Sequence, residues 1–241
     1  MSIYPSSVAN PAGEQTSAKM PLQSGDRLSR AEFERRYQAH PDIKAELVEG
    51  VVILASPIRY EKHADPHFNF ITWLGTYSAV TPGVRGGDNA TLRLDFENEF
   101  QPDALLRLEP AAGGQSIITG DDYLEGAPEL VVEIAASSAS YDMHDKRRVY
   151  ARNGVSEYIV LLAYEQQIAW FILRDGVYEP QQADERGILR SETFPGLWLE
   201  AKALLQGDMA AVLAVLQEGL QSSAQADFLQ QLQAKLENLG D

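Results

Sequence analysis

The stretch "PELVVEIAASSASYDMHDKRRVYARNGV", from Pro128 to Val155, contains a short apolar run with one acid inside it. Glu133 interrupts the aliphatic residues Leu130, Val131, Val132 and Ile134. A carboxylate in the middle of a buried strand is costly unless it is paired or binds a metal. We therefore interpret residues 130–135 as a buried strand whose acid has a partner.

A lysine in the next element is a candidate for that partner. After a short Ser/Ala loop, a helix is predicted from about Tyr141 to Arg152, and Asn153-Gly154 ends it. Lys146 lies early in this helix, and Tyr150 is one turn further on the same face. A solvated helix face explains most of the charges in "DKRRVYAR", but Lys146 follows the suspect strand closely enough to reach it.

The composition limits the class of protein and the kind of metal site. The chain has 241 residues, 44% of them apolar and 23% charged, which is typical of a globular protein. With no cysteine, any metal must be held by oxygen or histidine. No apolar run approaches the ~18–20 residues that span a bilayer. The N-terminus lacks a basic-then-apolar signal, so we expect a cytoplasmic protein without a membrane partner.

The charge balance bears on possible partners. Acidic residues outnumber basic ones 35 to 20, which gives a net charge of −15. This argues against indiscriminate nucleic-acid binding, because Lys and Arg supply most of that affinity. A local basic strip beside an active site remains compatible with the composition, and so does cation binding.

The order of predicted elements is helix, hairpin, helix, hairpin, strand, helix, strand, hairpin. This order predicts a mixed α/β sheet with helices on its faces and two extra C-terminal helices. The first helix begins with the capping box Ser29-x-x-Glu32, and the second runs from about His63 to Ala79. The hairpins are predicted at Glu49-Gly50, at Glu97-Asn98-Glu99 between "ATLRLDF" and "FQPDALLRL", and at Asp175-Gly176.

Three regions are expected along the chain. Residues 1–25 are rich in Ser, Pro, Ala and Gly and are interpreted as a poorly ordered tail. Residues 26–206 form the main domain, and residues 207–241 form a helical extension. The last helix carries Leu229, Leu232, Leu236 and Leu239 at 3-4-3 spacing. Packing on its own domain is the favoured interpretation, and pairing between subunits as a homodimer is the alternative.

Three acids break apolar strand patterns: Glu46, Asp103 and Glu133. A single acid of this kind is usually exposed, but all three lie on predicted core strands. Asp103 follows Pro102, which removes a ladder donor and predicts a bend or an edge. Carboxylates on adjacent strands, ~3–4 Å from a shared point, suit Mg²⁺ or Mn²⁺.

Two histidines are a weaker candidate for metal binding. His63 and His67 are four residues apart, as metal ligands on a helix can be. A helix start with two polar histidines is the simpler account, and we favour it.

Several of these segments together resemble a known family. Pro102-Asp103 followed thirty residues later by Glu133-Ile134-Ala135 resembles the PD-(D/E)XK superfamily, which has the restriction-endonuclease-like fold. More narrowly, the chain resembles the bacterial Uma family, whose members are described as endonucleases. The resemblance lies in the segments "ELVEG", "QPDALL", "LVVEIAASS" and "DKRRVYARNGVSEYIVL" and in the terminal hairpin. The resemblance covers roughly Ala45 to Leu199.

The resemblance implies a site and an activity. Asp103 and Glu133 would hold Mg²⁺ (or Mn²⁺) with the backbone carbonyl of Ile134, and Glu46 would assist. The superfamily's lysine stands two positions after the acid, where this chain has Ala135. In the Uma family a helix lysine is thought to substitute, which here is Lys146.

The implied function is metal-dependent hydrolysis of DNA phosphodiester bonds. Basic residues near the site would hold phosphates, and the candidates are Lys62, Arg147 and Arg148. The alternative is an inactive module of the same fold that binds a protein or a nucleic acid, since fold does not guarantee activity.

Overall fold

The computed structural model describes residues 20–40 and 42–237, in two compact units. The first unit extends to Ala55 and includes Phe96–Glu99, and the second comprises Ser56–Asp95 and the chain from Phe100 onward. Most of the predicted N-terminal tail, residues 1–19, lies outside the described residues. None of the described helices is long and apolar enough to cross a membrane.

The first unit contains a helix and antiparallel strands. Its elements are α1 (Arg30–Ala39), β1 (Ala45–Val48), β2 (Val51–Leu54) and most of β5 (Asn98–Phe100). The predicted cap is confirmed, since Ser29 Oγ accepts a hydrogen bond from the Glu32 N–H. The predicted turn is also confirmed, because β1 and β2 pair about Glu49 and Gly50, which both have positive φ. Its core consists of Leu22, Phe33, Ala45, Leu47 and Val52.

The second unit contains the six-stranded sheet that carries the candidate site, and the remaining helices. Its strands are β3 (Val84–Asp88), β4 (Leu92–Asp95), β6 (Ala104–Leu108), β7 (Ile117–Ile118), β8 (Leu124–Glu125), β9 (Leu130–Ala135), β10 (Glu157–Leu162), β11 (Gln167–Arg174), β12 (Val177–Pro180), β13 (Ile188–Arg190) and β14 (Trp198–Glu200). Its α-helices are α2 (Asp65–Ala79), α3 (Ala139–Tyr141), α4 (Arg147–Asn153), α5 (Ala201–Leu205), α6 (Met209–Leu220) and α7 (Ser223–Glu237). Two π-helical turns, Tyr60–Ala64 and Asp142–Lys146, and one 3₁₀ turn, Pro110–Ala112, complete it.

The six-stranded sheet of the second unit is mixed, as expected for the predicted fold class. Its strand order is β12-β11-β10-β9-β6-β3. Only β9 and β10 run parallel within it, and the other neighbours are antiparallel. A parallel pair needs a long crossover, and the helical segment from α3 to α4 supplies it. This connection carries Lys146 back across the sheet.

The two faces of β9 have different surroundings. Leu130, Val132 and Ile134 belong to the large core, which also contains side chains of α2, α5, α6 and α7. The opposite face carries Glu133, because side chains alternate along a strand. On that face Glu133 contacts Tyr150 of α4, whose ring packs on Tyr158 with centroids 4.9 Å apart.

The second predicted hairpin is partly wrong. "FQPDALLRL" is not one strand, because β5 ends at Phe100 and β6 begins at Ala104. Pro102 lies in the break, as expected for a residue that has no N–H to donate. Asn98 and Glu99 belong to β5 rather than to the turn. The break leaves Asp103 immediately before β6.

The last helix packs within the second unit. Leu232 is buried in the large core, and Gln225 donates a hydrogen bond from Nε2 to Thr81 Oγ1 at 3.2 Å. These contacts agree with the interpretation that the leucine stripe packs on its own chain. Leu239 lies outside the described residues, and a homodimer stays a prediction.

Candidate active site

Asp103 is buried just before β6 and is held from two sides. Its Oδ2 accepts a hydrogen bond from the Ile134 N–H at 2.7 Å. Just before the start of β6, the carboxylate therefore replaces the backbone carbonyl that a neighbouring strand would offer to this N–H. Its Oδ1 lies 3.1 Å from His63 Nε2. The side chain is thus fixed against the edge of β9.

The surroundings of Asp103 favour its ionised form. Burial opposes ionisation, but the hydrogen bond and charge of His63, the Ile134 N–H and the charge of Lys146 outweigh it. The pKa of Asp103 is therefore below its usual value. An acid held ionised in a buried position is prepared to bind a cation.

Glu133 has the partner that the sequence predicted. Its Oε1 accepts hydrogen bonds from Lys146 Nζ at 3.0 Å and from the Tyr150 hydroxyl at 2.9 Å. The side chains of Glu133 and Lys146 are only 5% and 6% exposed. Paired and hydrogen-bonded in this way, the buried carboxylate avoids the cost of an isolated charge.

Further groups surround Lys146. Asp142 Oδ1 lies 3.6 Å from Lys146 Nζ, and Asp142 is itself buried. The ammonium also lies over the Phe100 ring, 5.6 Å from its centroid. The π-helical turn Asp142–Lys146 places both charged residues of this pair on the sheet side of the crossover.

The strand register brings the two acids to neighbouring positions. Ala104 pairs with Val132 and Leu105 with Val131. Continuing this register by one residue places Asp103 opposite Glu133. Directly opposite residues in an antiparallel pair point to the same face. The electrostatic effect of Lys146 on both acids agrees with that placement.

Pro102 affects the backbone at the site. Ile134 directs its N–H toward β6, and in an antiparallel ladder its carbonyl points to the same edge. Continuing the register by two residues places Pro102 opposite Ile134, and proline has no N–H to donate. The ladder therefore provides no donor for the Ile134 carbonyl, which suits its predicted role as a metal ligand.

The structure gives the two histidines positions that sequence reasoning missed. His63 contacts the Asp103 carboxylate, and His67 Nε2 donates to the Asp103 backbone carbonyl at 2.7 Å. His67 Nε2 also lies 3.2 Å from Asp88 Oδ1. The four-residue spacing of the two histidines was the available signal in the sequence. Two histidines at the start of a helix show the same spacing whether or not they belong to a site, so the spacing alone did not identify these contacts.

The other predicted residues have contacts of their own. Glu46 lies on β1 of the first unit, opposite Ile53, and its role at the metal stays a prediction. Lys62 Nζ contacts the Ala163 carbonyl at 3.4 Å. Arg147 stacks over the Phe171 ring at 5.0 Å, and Arg148 is exposed beside Asp145.

The chemistry of the donor atoms suits a hard divalent cation. Carboxylate and backbone oxygens are what Mg²⁺ and Mn²⁺ bind. Within residues 20–40 and 42–237, however, no three His, Cys, Asp or Glu side chains are grouped so that they could hold a metal together. The candidate site therefore depends on Asp103 and Glu133 together with a backbone carbonyl.

A mixed sheet with a buried acid–lysine pair, and a second buried acid just before the neighbouring strand, is typical of the restriction-endonuclease-like class. The chain belongs to the Uma2 family, described as "Putative restriction endonuclease", whose model matches residues 30–202. This match covers the sheet, the crossover helices and the candidate site.

Comparison with solved structures supports the fold. One similar structure is from Anabaena variabilis ATCC 29413 and is described as "a putative nuclease belonging to DUF820". The TM-score is 0.55 at 14% identity, over 68% of this chain and 90% of that chain. No curated protein matches the sequence.

Proposed function

We propose that this protein is a metal-dependent endonuclease that hydrolyses DNA phosphodiester bonds. The observation that carries the proposal is the buried Lys146–Glu133 pair, with the ionised Asp103 at the neighbouring position. Two carboxylates and an ammonium at neighbouring positions supply the charges that metal-dependent phosphodiester hydrolysis uses. Membership of the Uma2 family supports the same reaction class.

Asp103, Glu133 and the Ile134 carbonyl would hold the divalent ion, Mg²⁺ or Mn²⁺. A bound ion of this kind lowers the pKa of a water molecule and neutralises charge on a phosphoryl oxygen. Asp103 suits this role because its surroundings keep it ionised. We assign Glu46 an assisting role, as the family resemblance implies.

Lys146 takes the role of the lysine that is missing at Ala135. Its ammonium is a compact charge, held in place by Glu133 and Asp142. There it would orient the attacking water or neutralise the charge that develops on the phosphate. Tyr150 fixes the orientation of Glu133 through the same carboxylate oxygen.

The DNA backbone would be held by local cations against an acidic background. Lys62 lies in the same π-helical turn as His63. Arg147 and Arg148 directly follow the π-helical turn that contains Lys146. Contacts of this type position a duplex without reading its sequence. Because Lys and Arg contacts to phosphates release counterions from DNA, binding should weaken as the salt concentration rises.

The test is cleavage of supercoiled plasmid DNA by purified protein with Mg²⁺ or Mn²⁺. Wild-type protein should nick or linearise the plasmid, and Asp103→Ala should lose this activity while its circular dichroism spectrum is unchanged. Equal activity in the variant would indicate a contaminating nuclease. No cleavage of any DNA or RNA would reject the proposal.

A second candidate is a non-cutting module that binds a protein or nucleic-acid partner. Two observations favour it: Glu133 is already bonded to Lys146 and Tyr150, and the described residues contain no three-side-chain metal cluster. The two candidates differ in metal binding. Mg²⁺ or Mn²⁺ should raise the melting temperature of the enzyme, because a ligand stabilises the state that binds it, and should leave the inactive module unchanged.

A further inference from the structure

We propose that an exposed patch of rings and cations beside the candidate active site binds the unpaired nucleotides of single-stranded DNA. The stacking patch consists of Arg59, Tyr60, Lys62 and Tyr164. This inference rests on the proposed function, since it names the form of DNA that would be led to the site. DNA with a single-stranded segment would therefore be a better substrate than a fully paired duplex.

The first argument is the exposure of the two tyrosine rings. Tyr60 is 69% exposed and Tyr164 is 52% exposed. Ile58, two residues before Tyr60, is 60% exposed as well. Single exposed apolar side chains are common on proteins, but a group of them marks a binding surface. Nucleobases stack on exposed rings of this kind, and every base has an aromatic face to offer.

The second argument is that two cations hold Tyr164 against the segment that carries Tyr60. Arg59 Nη1 donates a hydrogen bond to the Tyr164 hydroxyl at 3.4 Å. Lys62 Nζ lies over the Tyr164 ring, 5.7 Å from its centroid. Tyr60 lies between these two cations in the chain. Rings that stack bases, next to cations that contact phosphates, are the combination that single-strand-binding proteins use.

The third argument is that the stacking patch is already ordered. The Ala163 carbonyl accepts hydrogen bonds from Lys62 Nζ at 3.4 Å and from Gln166 Nε2 at 2.9 Å, which fixes the turn that carries Tyr164. The Arg59 carbonyl accepts from the N–H groups of the π-helical turn that follows it. A surface that is ordered before binding loses less conformational entropy when a ligand binds.

The fourth argument is that the stacking patch lies at the same end of the sheet as the candidate site. The Ala163 N–H bonds to the Ala135 carbonyl at 2.9 Å, so Tyr164 lies just beyond the carboxyl ends of β9 and β10. Asp103 lies at this end as well, because it precedes β6 and β6 runs antiparallel to β9. The turn that carries Lys62 also contacts Asp103 through His63. A strand stacked on the patch would thus lead to the acids.

Two acids beside the stacking patch oppose unselective binding of duplex DNA. Glu61 and Glu165 are exposed, and each directly follows one of the two tyrosines. They offset the charges of Arg59 and Lys62, so the patch gains little from attraction to phosphates alone. Stacking must supply the rest of the affinity, and the bases of a duplex are already stacked on one another. The patch therefore selects single strands.

The experiment measures binding of a fluorescently labelled DNA strand of about 16 nucleotides, the upper size of such sites, by fluorescence anisotropy. Binding is measured in EDTA, which prevents metal-dependent cleavage, and the same strand annealed to its complement is the duplex probe. The variants of the full chain are Tyr60→Ala, Tyr164→Ala and Tyr164→Phe. The matched control is Phe96→Ala, which removes an exposed ring of the first unit that also has a cation, Arg30, over it at 5.9 Å. Circular dichroism establishes that each variant is folded.

Wild-type protein and Phe96→Ala should bind the single strand more tightly than the duplex. Tyr164→Ala and Tyr60→Ala should each bind the single strand about fivefold or more weakly, which is the lower limit for the loss of one stacked base. Their affinity for the duplex should not change. Tyr164→Phe keeps the ring and should retain most of the single-strand affinity.

Single-strand affinity equal to wild type in both alanine variants, or an equal loss in Phe96→Ala, would overturn the stacking patch. The same conclusion would follow if Tyr164→Phe lost as much affinity as Tyr164→Ala. In each of these cases, cleavage of plasmid DNA by the wild type would leave the proposed function intact. Tyrosine-dependent binding of the single strand without cleavage of any DNA would support the patch and reject the proposed function.

Discussion

Lys146 Nζ lies 3.0 Å from Glu133 Oε1, although the two residues are thirteen positions apart and belong to a helical crossover and a strand. Both side chains are buried, so each charged group is stabilised in the interior by the opposite charge of the other. Removing one partner of a buried pair leaves an uncompensated charge and typically costs about 3–5 kcal/mol. Variants of this pair therefore need separate readouts for folding and for activity.

Lys146→Ala should abolish DNA cleavage while Mn²⁺ still binds, because the ammonium is lost and the acids remain. Lys146→Arg should retain little activity, since a planar guanidinium cannot occupy the same point. Plasmid cleavage and metal binding are measured on the same preparation, at a temperature where denaturation curves show the variant to be folded.

Arg148→Ala is the control for this prediction. Arg148 is exposed and pairs with Asp145, so its loss should weaken DNA binding without abolishing cleavage at saturating DNA. Cleavage by Lys146→Ala at the wild-type rate would contradict the relocated lysine, and another cation would then have to serve.

Tyr150→Phe should destabilise the protein by about 1.5–3 kcal/mol, the usual range for a hydrogen bond to a charged group. The hydroxyl lies 2.9 Å from Glu133 Oε1, while the ring also packs against Phe100 and Tyr158 and keeps those contacts in phenylalanine. Urea denaturation measures the loss. A change below about 0.5 kcal/mol would mean that the hydroxyl does not support Glu133.

Asp103 should make the metal-free protein less stable in acid. Its folded pKa lies below the unfolded value, so its contribution to the free energy of unfolding is present above the unfolded pKa of about 3.9. It is lost as the pH falls through the folded pKa. The stability difference between wild type and Asp103→Asn, measured by urea denaturation in EDTA, should therefore shrink below about pH 4. A difference that does not vary with pH would contradict this.

Glu157→Gln should be destabilising although it keeps the shape of the side chain. Glu157 is fully buried, and its Oε1 accepts from Ser191 Oγ and from the N–H groups of Glu192 and Thr193, while its Oε2 accepts from Trp170 Nε1. Burial raises the pKa of this acid, and these hydrogen bonds oppose the rise. An amide would place its NH₂ against one of these donors, at a cost of about 1–3 kcal/mol in urea denaturation. Stability equal to wild type would contradict the donor assignment.

Leu232→Ala should cost about 2–5 kcal/mol of stability and leave the sedimentation mass unchanged. The reason is that Leu232 is buried in the large core of its own chain. The exposed Gln233 next to it offers a matched control, and Gln233→Ala should change stability by less than about 0.5 kcal/mol. A fall in sedimentation mass on Leu232→Ala would instead assign the stripe to pairing between subunits.

Much of the local structure was predictable because its signals lie close together in sequence. The cap at Ser29, the turn at Glu49-Gly50 and the strand 130–135 depend on neighbouring residues and were confirmed. The break at Pro102 was predicted as a bend, but the division into β5 and β6 was not, because β6 pairs with the distant strands β3 and β9. The π-helical turns have no sequence signal that we recognise.

The sequence by itself determined which residues needed partners. An acid among aliphatic residues, a proline before Asp103 and a lysine missing at position 135 are local facts, and each has an energetic consequence wherever the chain folds. Only the tertiary structure decided which groups meet. The parallel pairing of β9 with β10 requires the crossover that brings Lys146 to Glu133, and the turn before α2 brings His63 to Asp103. Such contacts depend on strand register and chain path, which are set by the packing of the whole core rather than by neighbouring residues.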